Sequence, residues 1–281
     1  MSGHLPQTYL FVPGNRPERF AKALASGADR VILDLEDAVA PGDKAAARTA
    51  IAGWMASAGE ASAKVLIRIN DAATDWHAQD LALAHSVQAV CVMLPKCEAP
   101  SQISEVLDSL AASATVLPLI ETARGVLALP GIASAPGVAR LAFGSLDFMA
   151  DLDISADSLA LDVAAAQIAL ASRAAGLASP LAGVTPALDA AQVGTDMRHA
   201  RSLGFGAKMC IHPVQVAAVH AALAPSAEEL AWAQRILQAW ESSSVGAIQL
   251  DGKMIDRPVV LKAQRIAAQA TRADSSLIPS P

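Results

Sequence analysis

The stretch that decides the fold runs from Thr115-Val-Leu-Pro-Leu-Ile-Glu-Thr-Ala-Arg-Gly125 to Arg140-Leu-Ala-Phe-Gly-Ser-Leu-Asp147. Each half is a short apolar run that ends at charged or small residues, a pattern typical of a buried strand followed by a helix. Glu121 directly follows the first run, and Asp147 follows the second after Gly144-Ser145. The pattern predicts two strand–helix units, each with a carboxylate near the carboxyl end of its strand.

The same alternation recurs throughout residues 1–223. Eight strand-like runs are separated by segments of helix-forming composition, which predicts a parallel sheet closed into a (β/α)8 TIM barrel. A doubly wound open sheet is the alternative, but Pro13-Gly14-Asn15-Arg16-Pro17 is not the G-x-G-x-x-G loop typical of that fold. The predicted strands are residues 9–12, 30–35, 65–69, 89–94, 116–120, 140–143, 181–184 and 207–211.

Residues 224–281 are predicted to form a helical extension and lid beyond the barrel. Pro225-Ser226-Ala227-Glu228 resembles a capping box at the start of a helix. Ser242-Ser243-Ser244 then interrupts the pattern. The remaining expectations are an extended segment at 246–253, a last helix at 258–271 and a disordered tail at 275–281.

Composition excludes several classes of protein. The 281 residues are 53% hydrophobic and 17% charged, which predicts a large core. A net charge of −6 without a basic run argues against a nucleic-acid partner. No apolar run approaches the roughly 18 residues of a membrane span, and no signal-like segment is present, so we expect a cytoplasmic protein that contacts no membrane. Cys91, Cys97 and Cys210 lack zinc-site spacing and are expected to be reduced thiols.

Glu121 and Asp147 are candidate metal ligands. Side chains at the carboxyl ends of parallel strands converge on one face, so the two acids can meet despite their separation in sequence. Two carboxylates, with water and substrate oxygens, suit Mg²⁺. The alternative is that each acid caps the helix that follows it.

Three acids follow the second strand: Asp34, Glu36 and Asp37. Their mutual repulsion requires nearby cations, and Arg68 and Lys96, after the third and fourth strands, are the expected partners. We expect the three acids and Lys96 to support the site rather than bind the metal. A Schiff-base lysine at position 96 is the alternative, because a desolvated lysine can be nucleophilic.

Arg68 is flanked by apolar residues within its strand, so it must be paired or bind an anion. Its place at a strand end favours a functional arginine over a structural ion pair. His212 directly precedes a proline, which favours a structural turn over a catalytic base.

A group of cations follows the first strand. Arg16, Arg19 and Lys22 stand beside a predicted helix start and can hold phosphate groups. The alternative is a solvated surface helix.

Seven stretches, taken in order, resemble the HpcH/HpaI aldolase and citrate lyase β-subunit family, in particular its CitE-like acyl-CoA lyase branch. The resemblance covers nearly the whole chain. Each stretch alone is weak, and the specificity lies in their order and spacing. They are Leu10-Phe-Val-Pro-Gly-Asn-Arg-Pro17, Val31-Ile-Leu-Asp-Leu-Glu-Asp-Ala-Val-Ala-Pro41, Ile67-Arg-Ile-Asn70, Leu94-Pro-Lys96, Leu119-Ile-Glu-Thr-Ala-Arg-Gly125, Phe143-Gly-Ser-Leu-Asp-Phe148 and Lys208-Met-Cys-Ile-His-Pro213.

The resemblance implies Mg²⁺ bound at Glu121 and Asp147 and substrate contact at Arg68. It also implies cleavage or formation of CoA thioesters such as malyl-, citramalyl- or citryl-CoA, with a 2-oxo acid as the second product, in a homotrimer or hexamer. Asp251-Gly-Lys-Met-Ile-Asp256 resembles a lid motif whose last aspartate, here Asp256, is the catalytic base in related lyases. We expect it to serve a neighbouring subunit, whereas the alternative is a helix cap.

Other functions stay open at this point. They are a CoA-independent 2-oxo acid aldolase with His212 or His77 as base, a malyl-CoA thioesterase that uses the same metal site, and a citrate lyase β subunit that works only within a complex. Many relatives have an acid where this chain has Ala182 and a glycine where it has Asp153. These departures predict an altered substrate pocket.

Overall fold

The computed structural model describes residues 5–242 and 247–275 of the chain. Contacts divide these residues into two compact units, Leu5–Leu223 and the part that begins at Ala224. Among the described residues, no helix combines the length and the apolar character needed to cross a bilayer.

The first unit is a closed barrel of eight parallel strands. The strands pair in sequence order, and β1 completes the ring by pairing with both β2 and β8. This confirms the predicted TIM barrel, with small shifts at strand ends. The strands are β1 (Thr8–Pro13), β2 (Arg30–Asp34), β3 (Val65–Arg68), β4 (Cys91–Leu94), β5 (Thr115–Ile120), β6 (Ala142–Phe143), β7 (Leu181–Ala182) and β8 (Ala207–Cys210).

Helices follow the strands, as the sequence predicts. Two helices lie between β5 and β6, with Pro130 in the first turn of the second. The helix directly after β6 agrees with the second strand–helix unit, predicted at Arg140–Asp147. The helices are α1 (Phe20–Leu24), α2 (Lys44–Met55), α3 (His77–Ser86), α4 (Pro100–Asp108), α5 (Ala123–Leu127), α6 (Leu129–Ser134), α7 (Ser145–Leu152), α8 (Leu159–Ala174), α9 (Ala190–Ser202) and α10 (Val214–Leu223).

The barrel has two apolar layers, because successive side chains of a strand point to opposite faces. Ile32, Leu66 and Met93 fill the interior with residues from the other strands. Their neighbours, such as Leu33 and Ile67, point outward and pack beneath the helices. Burying each such side chain contributes about 1.5–3 kcal/mol, so both layers stabilise the ring of strands.

The second unit is a helix, a hairpin and a helix: α11 (Ala227–Glu241), β9 (Ile248–Leu250), β10 (Lys253–Ile255) and α12 (Arg257–Ser275). Ile236, Ile255 and Ala263 belong to its own small core. The capping box is present, but Ser226 pairs with Glu229 and not with Glu228, because the second member must stand at the third helical position. Ser243 and Ser244 of the expected break, and residues 276–281 of the expected tail, lie outside the described residues, while Ser275 ends α12.

Candidate active site

A cavity of about 380 Å³ opens at the carboxyl ends of the strands. The barrel brings Arg68, Glu121 and Asp147 to its wall, together with Asp34 and Asp37. These residues lie at the carboxyl ends of β2, β3 and β5 and in the first turn of α7, so the fold gathers charges that are far apart in the sequence. The expected convergence of Glu121 and Asp147 on one face is therefore observed.

Glu121 is a buried carboxylate with one oxygen left over. Its Oε1 accepts the backbone N–H of Lys96 at 2.7 Å. Its Oε2 is buried and has no hydrogen-bond partner among the described residues. The carboxylate packs on Gly144, where a Cβ would clash with Oε2 and lie 2.7 Å from the Cβ of Glu121. Buried polar atoms are normally satisfied, so an oxygen in this position is available to a bound ligand.

Asp147 lies in the first turn of α7 and is exposed. The N-cap residue of this helix is Gly144, so no side chain caps it. Neither acid is the cap residue that the alternative interpretation required: Thr122 caps α5 by accepting from Gly125 N–H at 3.1 Å. Glu121 is therefore not needed to start the helix that follows it.

The cavity concentrates negative charge. Burial raises the pKa of Glu121 to about 8, and the charges of Glu36 and Asp147 act in the same direction. Burial also raises the pKa of Glu36 to about 7 despite the opposing effect of Arg68. Carboxylates held this close are stabilised by an added cation.

The donor set fits a hard divalent ion. Among the described residues, no group of three or more His, Cys, Asp or Glu side chains forms a complete metal cage. Glu121 Oε2 and the carboxylate of Asp147 supply two oxygen donors in one cavity. Mg²⁺ usually keeps several waters and takes one or two protein carboxylates plus substrate oxygens. Two carboxylate ligands from the protein are therefore enough for a Mg²⁺ site.

Arg68 is clamped by the acids that follow β2, as the sequence predicts. Its Nε and Nη2 donate to the two carboxylate oxygens of Asp34 at 2.7 and 2.6 Å. Its Nη1 forms an ion pair with Glu36 Oε2 at 2.8 Å, although that oxygen is not aligned for a hydrogen bond, and lies 3.6 Å from Asp37. A guanidinium has five N–H groups, so the clamp orients Arg68 while leaving N–H groups for a ligand.

Lys96 forms its salt bridge with Asp71, whose Oδ2 lies 3.7 Å from its Nζ, and the backbone at position 96 has a φ of 44°. The expected partnership with the acids after β2 is electrostatic, since the charges of Glu36 and Asp37 stabilise the ammonium. Desolvation lowers the pKa of Lys96, but Glu36, Asp71 and Glu121 outweigh it and raise the pKa overall. A raised pKa keeps the ammonium charged, which disfavours the Schiff-base alternative.

Lys44 was missed by the sequence analysis. Its buried ammonium donates to Leu35 O, Glu36 O and Asn70 Oδ1, each at 2.7 Å. It lies 5.0 Å from the centre of the Trp76 ring. Lys44 therefore fixes the backbone that carries the acids, but as the first residue of a surface-helix pattern it gives no sequence signal.

Lys208, the first residue of the Lys208–Pro213 motif, has a structural role. Its buried Nζ donates to Gly183 O at 2.6 Å behind the barrel wall. Gly183 in turn packs on Ser145, at the start of α7. His212 Nδ1 accepts from Val214 N–H at 3.2 Å, which agrees with the structural turn expected there.

The candidate phosphate anchors are exposed. Arg16 Nη1 and Arg19 Nε each lie 3.9 Å from Glu18 Oε1. Ion pairs that are this long and exposed to solvent contribute little stability. Lys22 is an exposed residue of α1. All three stay candidates for binding phosphate.

The two departures from the family pattern are not in the cavity wall. Ala182 is buried in the layer between the strands and the helices, whereas Val184 lines the cavity. Asp153 is the C-cap of α7 with a φ of 52°, a left-handed position that favours glycine. The prediction that these residues alter the substrate pocket was wrong, because one faces away from it and the other ends a helix.

Asp256 lies in the second unit at the start of α12. Its Oδ1 accepts from Val259 N–H at a long 3.4 Å, the geometry of a helix cap. A catalytic role for Asp256 stays a prediction.

The fold and this cavity define a class: a (β/α)8 barrel with an acidic, metal-competent site at its carboxyl face. The chain belongs to the HpcH/HpaI aldolase/citrate lyase family, whose profile matches residues 7–213. A second profile, for carbon–carbon bond lyases of the TIM-barrel fold, matches residues 189–272. The predicted resemblance is thereby confirmed.

Similar proteins cover almost the whole chain. A citrate lyase subunit β-like protein of Mycobacterium tuberculosis is 38% identical, over 95% of this chain and 96% of its own length. A (3S)-malyl-CoA thioesterase of Cereibacter sphaeroides is 30% identical, over 95% of each chain. The crystal structure of CitE from M. tuberculosis with magnesium, acetoacetate and coenzyme A has a TM-score of 0.85 at 36% identity, covering 95% of this chain and 98% of that one.

Proposed function

We propose that this enzyme is a Mg²⁺-dependent carbon–carbon lyase that cleaves, or forms, a β-hydroxyacyl-CoA thioester such as malyl-, citramalyl- or citryl-CoA. The observation that carries the proposal is the unpartnered buried oxygen of Glu121, in one cavity with Asp147 and the clamped Arg68. The similarity to a structure that contains magnesium, acetoacetate and coenzyme A supports the same choice of ligands.

Glu121 and Asp147 would hold the ion, which when bound polarises the oxygen of a 2-hydroxy or 2-oxo acid. In the cleavage direction a base takes the proton of the substrate hydroxyl. The bond between the carbinol carbon and the carbon next to the thioester breaks, and its electron pair forms the enolate of the acyl-CoA. The enolate then takes a proton, so the products are an acyl-CoA and a 2-oxo acid.

Arg68 is proposed to stabilise the enolate that forms in this reaction. Its N–H groups outside the Asp34 and Glu36 contacts would donate to the enolate oxygen as charge develops there. Donors that are already oriented need no rearrangement in the transition state, which is where such groups accelerate reactions most.

Two acids compete for the role of base. Family resemblance favours Asp256, supplied to a neighbouring subunit in a homotrimer or hexamer. Asp37 is the alternative within the barrel, because it lines the cavity and its side chain is 69% exposed. A carboxylate that reaches the substrate hydroxyl can act as a general base.

Arg16, Arg19 and Lys22 are the proposed anchors of the CoA phosphates. Their exposure and weak pairing leave the charges available. Hydrogen bonds from arginine and lysine to phosphate are among the stronger ones in proteins.

A malyl-CoA thioesterase is the second candidate, favoured by the relative of that activity. The two reactions differ in their products, since a lyase releases an acyl-CoA and a 2-oxo acid, whereas a thioesterase releases free CoA and a hydroxy acid.

A product-resolved assay tests the proposal. The purified chain is incubated with malyl-, citramalyl- and citryl-CoA, with and without Mg²⁺, and the 2-oxo acid and free thiol are measured separately. We expect Mg²⁺-dependent 2-oxo acid without stoichiometric thiol. Thiol release without a 2-oxo acid would establish the thioesterase, and no turnover of any thioester by a metal-binding protein would contradict both.

A further inference from the structure

The charged side chains of the cavity lie at the carboxyl ends of β2, β3 and β5 and in the first turn of α7. The neighbouring strands β7 and β8 and the residues that directly follow them contribute only apolar side chains to it, namely Val184, Met209 and Ile211. These three side chains form the apolar wall of the cavity. Phe11 of β1 also lines the cavity, but its ring packs against the guanidinium of Arg68, whose Cζ lies 4.8 Å from the ring centre.

The cavity has little positive charge to offer a second carboxylate. Among the described residues that line it, Arg68 is the only cation, and Asp34, Glu36 and Asp37 surround its guanidinium. Lys96 lies against Asp71 and lines an adjoining cavity. Placing an ionised group against apolar side chains without a partner of opposite charge is energetically costly.

We infer that the apolar wall selects substrates whose 2-oxo acid part is a monocarboxylate with a hydrogen or a short alkyl substituent. This inference rests on the proposed lyase function and names its substrate class. Citramalyl-CoA would give acetyl-CoA and pyruvate, malyl-CoA would give acetyl-CoA and glyoxylate, and citryl-CoA would give acetyl-CoA and oxaloacetate. The departing acids thus carry a methyl group, a hydrogen or a second carboxylate.

The three thioesters form a matched series for kinetics. We expect kcat/KM to be highest for citramalyl-CoA, because one methyl group in an apolar pocket gives roughly a tenfold to hundredfold preference. Citryl-CoA should be poorer than citramalyl-CoA by on the order of 10²-fold or more, because its extra carboxylate is unpaired. Equal or better turnover of citryl-CoA overturns the inference and leaves the lyase function intact.

A variant of the wall makes the test specific. Ile211 is 43% exposed, so a lysine at this position can be accommodated without burying its ammonium. Ile211→Lys should raise the ratio of citryl-CoA to citramalyl-CoA turnover by roughly tenfold or more, since it supplies the missing cation. Ile211→Met, of similar length and uncharged, is the control. A ratio that does not move in Ile211→Lys shows that the substituent lies elsewhere and overturns the inference.

A binding measurement separates this inference from the proposed reaction. Pyruvate, glyoxylate and freshly dissolved oxaloacetate are titrated calorimetrically into the full chain in the presence of Mg²⁺. Tighter binding of pyruvate than of oxaloacetate supports the apolar wall even if no thioester is cleaved, in which case the proposed function fails alone. Tighter binding of oxaloacetate overturns the inference.

Discussion

The backbone N–H of Lys96 donates to Oε1 of Glu121 at 2.7 Å, from a residue held at a positive φ. A lysine in the left-handed region is uncommon, and such backbone strain persists where the surrounding structure over-determines it. Here the unusual turn after β4 fixes one oxygen of the carboxylate. The other oxygen remains for a ligand, so a strained backbone and a candidate metal ligand are parts of one arrangement.

Gly144 should be essential to that arrangement. In Gly144→Ala the new Cβ meets the Glu121 carboxylate, which must shift. We expect Mg²⁺ affinity, measured by calorimetry, to fall by on the order of tenfold or more. Changing a residue that holds a metal ligand in place weakens metal binding to about that extent. Gly53→Ala is the control, since a Cβ there meets nothing within 4 Å and alanine suits its helix. Equal affinity in both variants would contradict the role of Gly144.

Arg68→Lys should lose activity although it keeps the charge. A lysine cannot reproduce the two parallel hydrogen bonds to Asp34 or present a planar donor to an enolate. We expect kcat to fall by on the order of 10²-fold or more, as for the loss of one oriented donor. Near-normal turnover would reduce Arg68 to a structural partner of Asp34 and Glu36.

Asp256 should act as the base for a neighbouring subunit. Chains with Asp256→Ala and chains with Glu121→Gln are each expected to be inactive, and mixed oligomers should regain part of the activity. The readout is 2-oxo acid release after subunit exchange has been demonstrated with differently tagged chains. If the mixture stays inactive, or if Asp37→Asn and not Asp256→Ala abolishes turnover, Asp37 becomes the better candidate.

Asp29 should make folding stability depend on pH. Desolvation acts to raise its pKa, but hydrogen bonds from His220, Gln7 and Thr8 outweigh it and hold the pKa below its usual range. A depressed carboxyl pKa adds stability above the unfolded value of roughly 3.9, and this contribution is lost as the pH falls through the folded value.

The matching variant is Asp29→Asn. At neutral pH it should destabilise the chain by about 1–3 kcal/mol, since hydrogen bonds to a charged acceptor are lost. Urea unfolding at neutral pH and below pH 4 should show the difference from the wild type shrinking under acid. Asp108→Asn, which changes an exposed acid, should cause little change at either pH. A constant difference for Asp29→Asn would contradict the shifted pKa.

The sequence predicts the barrel well because strands and helices are indicated by local patterns of apolar residues. Eight apolar runs separated by helical segments determine the order of elements, and closure follows from their number. The convergence of Glu121 and Asp147 is predictable for the same reason, since parallel strands place their carboxyl ends together. The pairing of Arg68 with Asp34 follows from adjacent strand ends.

The features that the sequence does not predict depend on the conformation of backbone turns and on how deeply side chains are buried. The Nζ of Lys96 lies 3.7 Å from Asp71, in a turn where residue 96 has a positive φ, and no pattern around Pro95 indicates either feature. Ala182 and Asp153 differ from the family pattern, yet only the packing shows that neither faces the cavity. Lys44 resembles a surface residue until its three acceptors are seen.

Calorimetric titration of Mg²⁺ decides whether Glu121 and Asp147 bind the ion on which turnover is proposed to depend. The wild type, Glu121→Gln and Asp147→Asn are compared, with circular dichroism to check folding. Strand-end residues serve the site more than the core, so we predict folded variants whose Mg²⁺ affinity is weaker by at least on the order of tenfold, with turnover abolished. Unchanged Mg²⁺ affinity in both variants would contradict the proposed metal site, because the cation would then be bound by other residues.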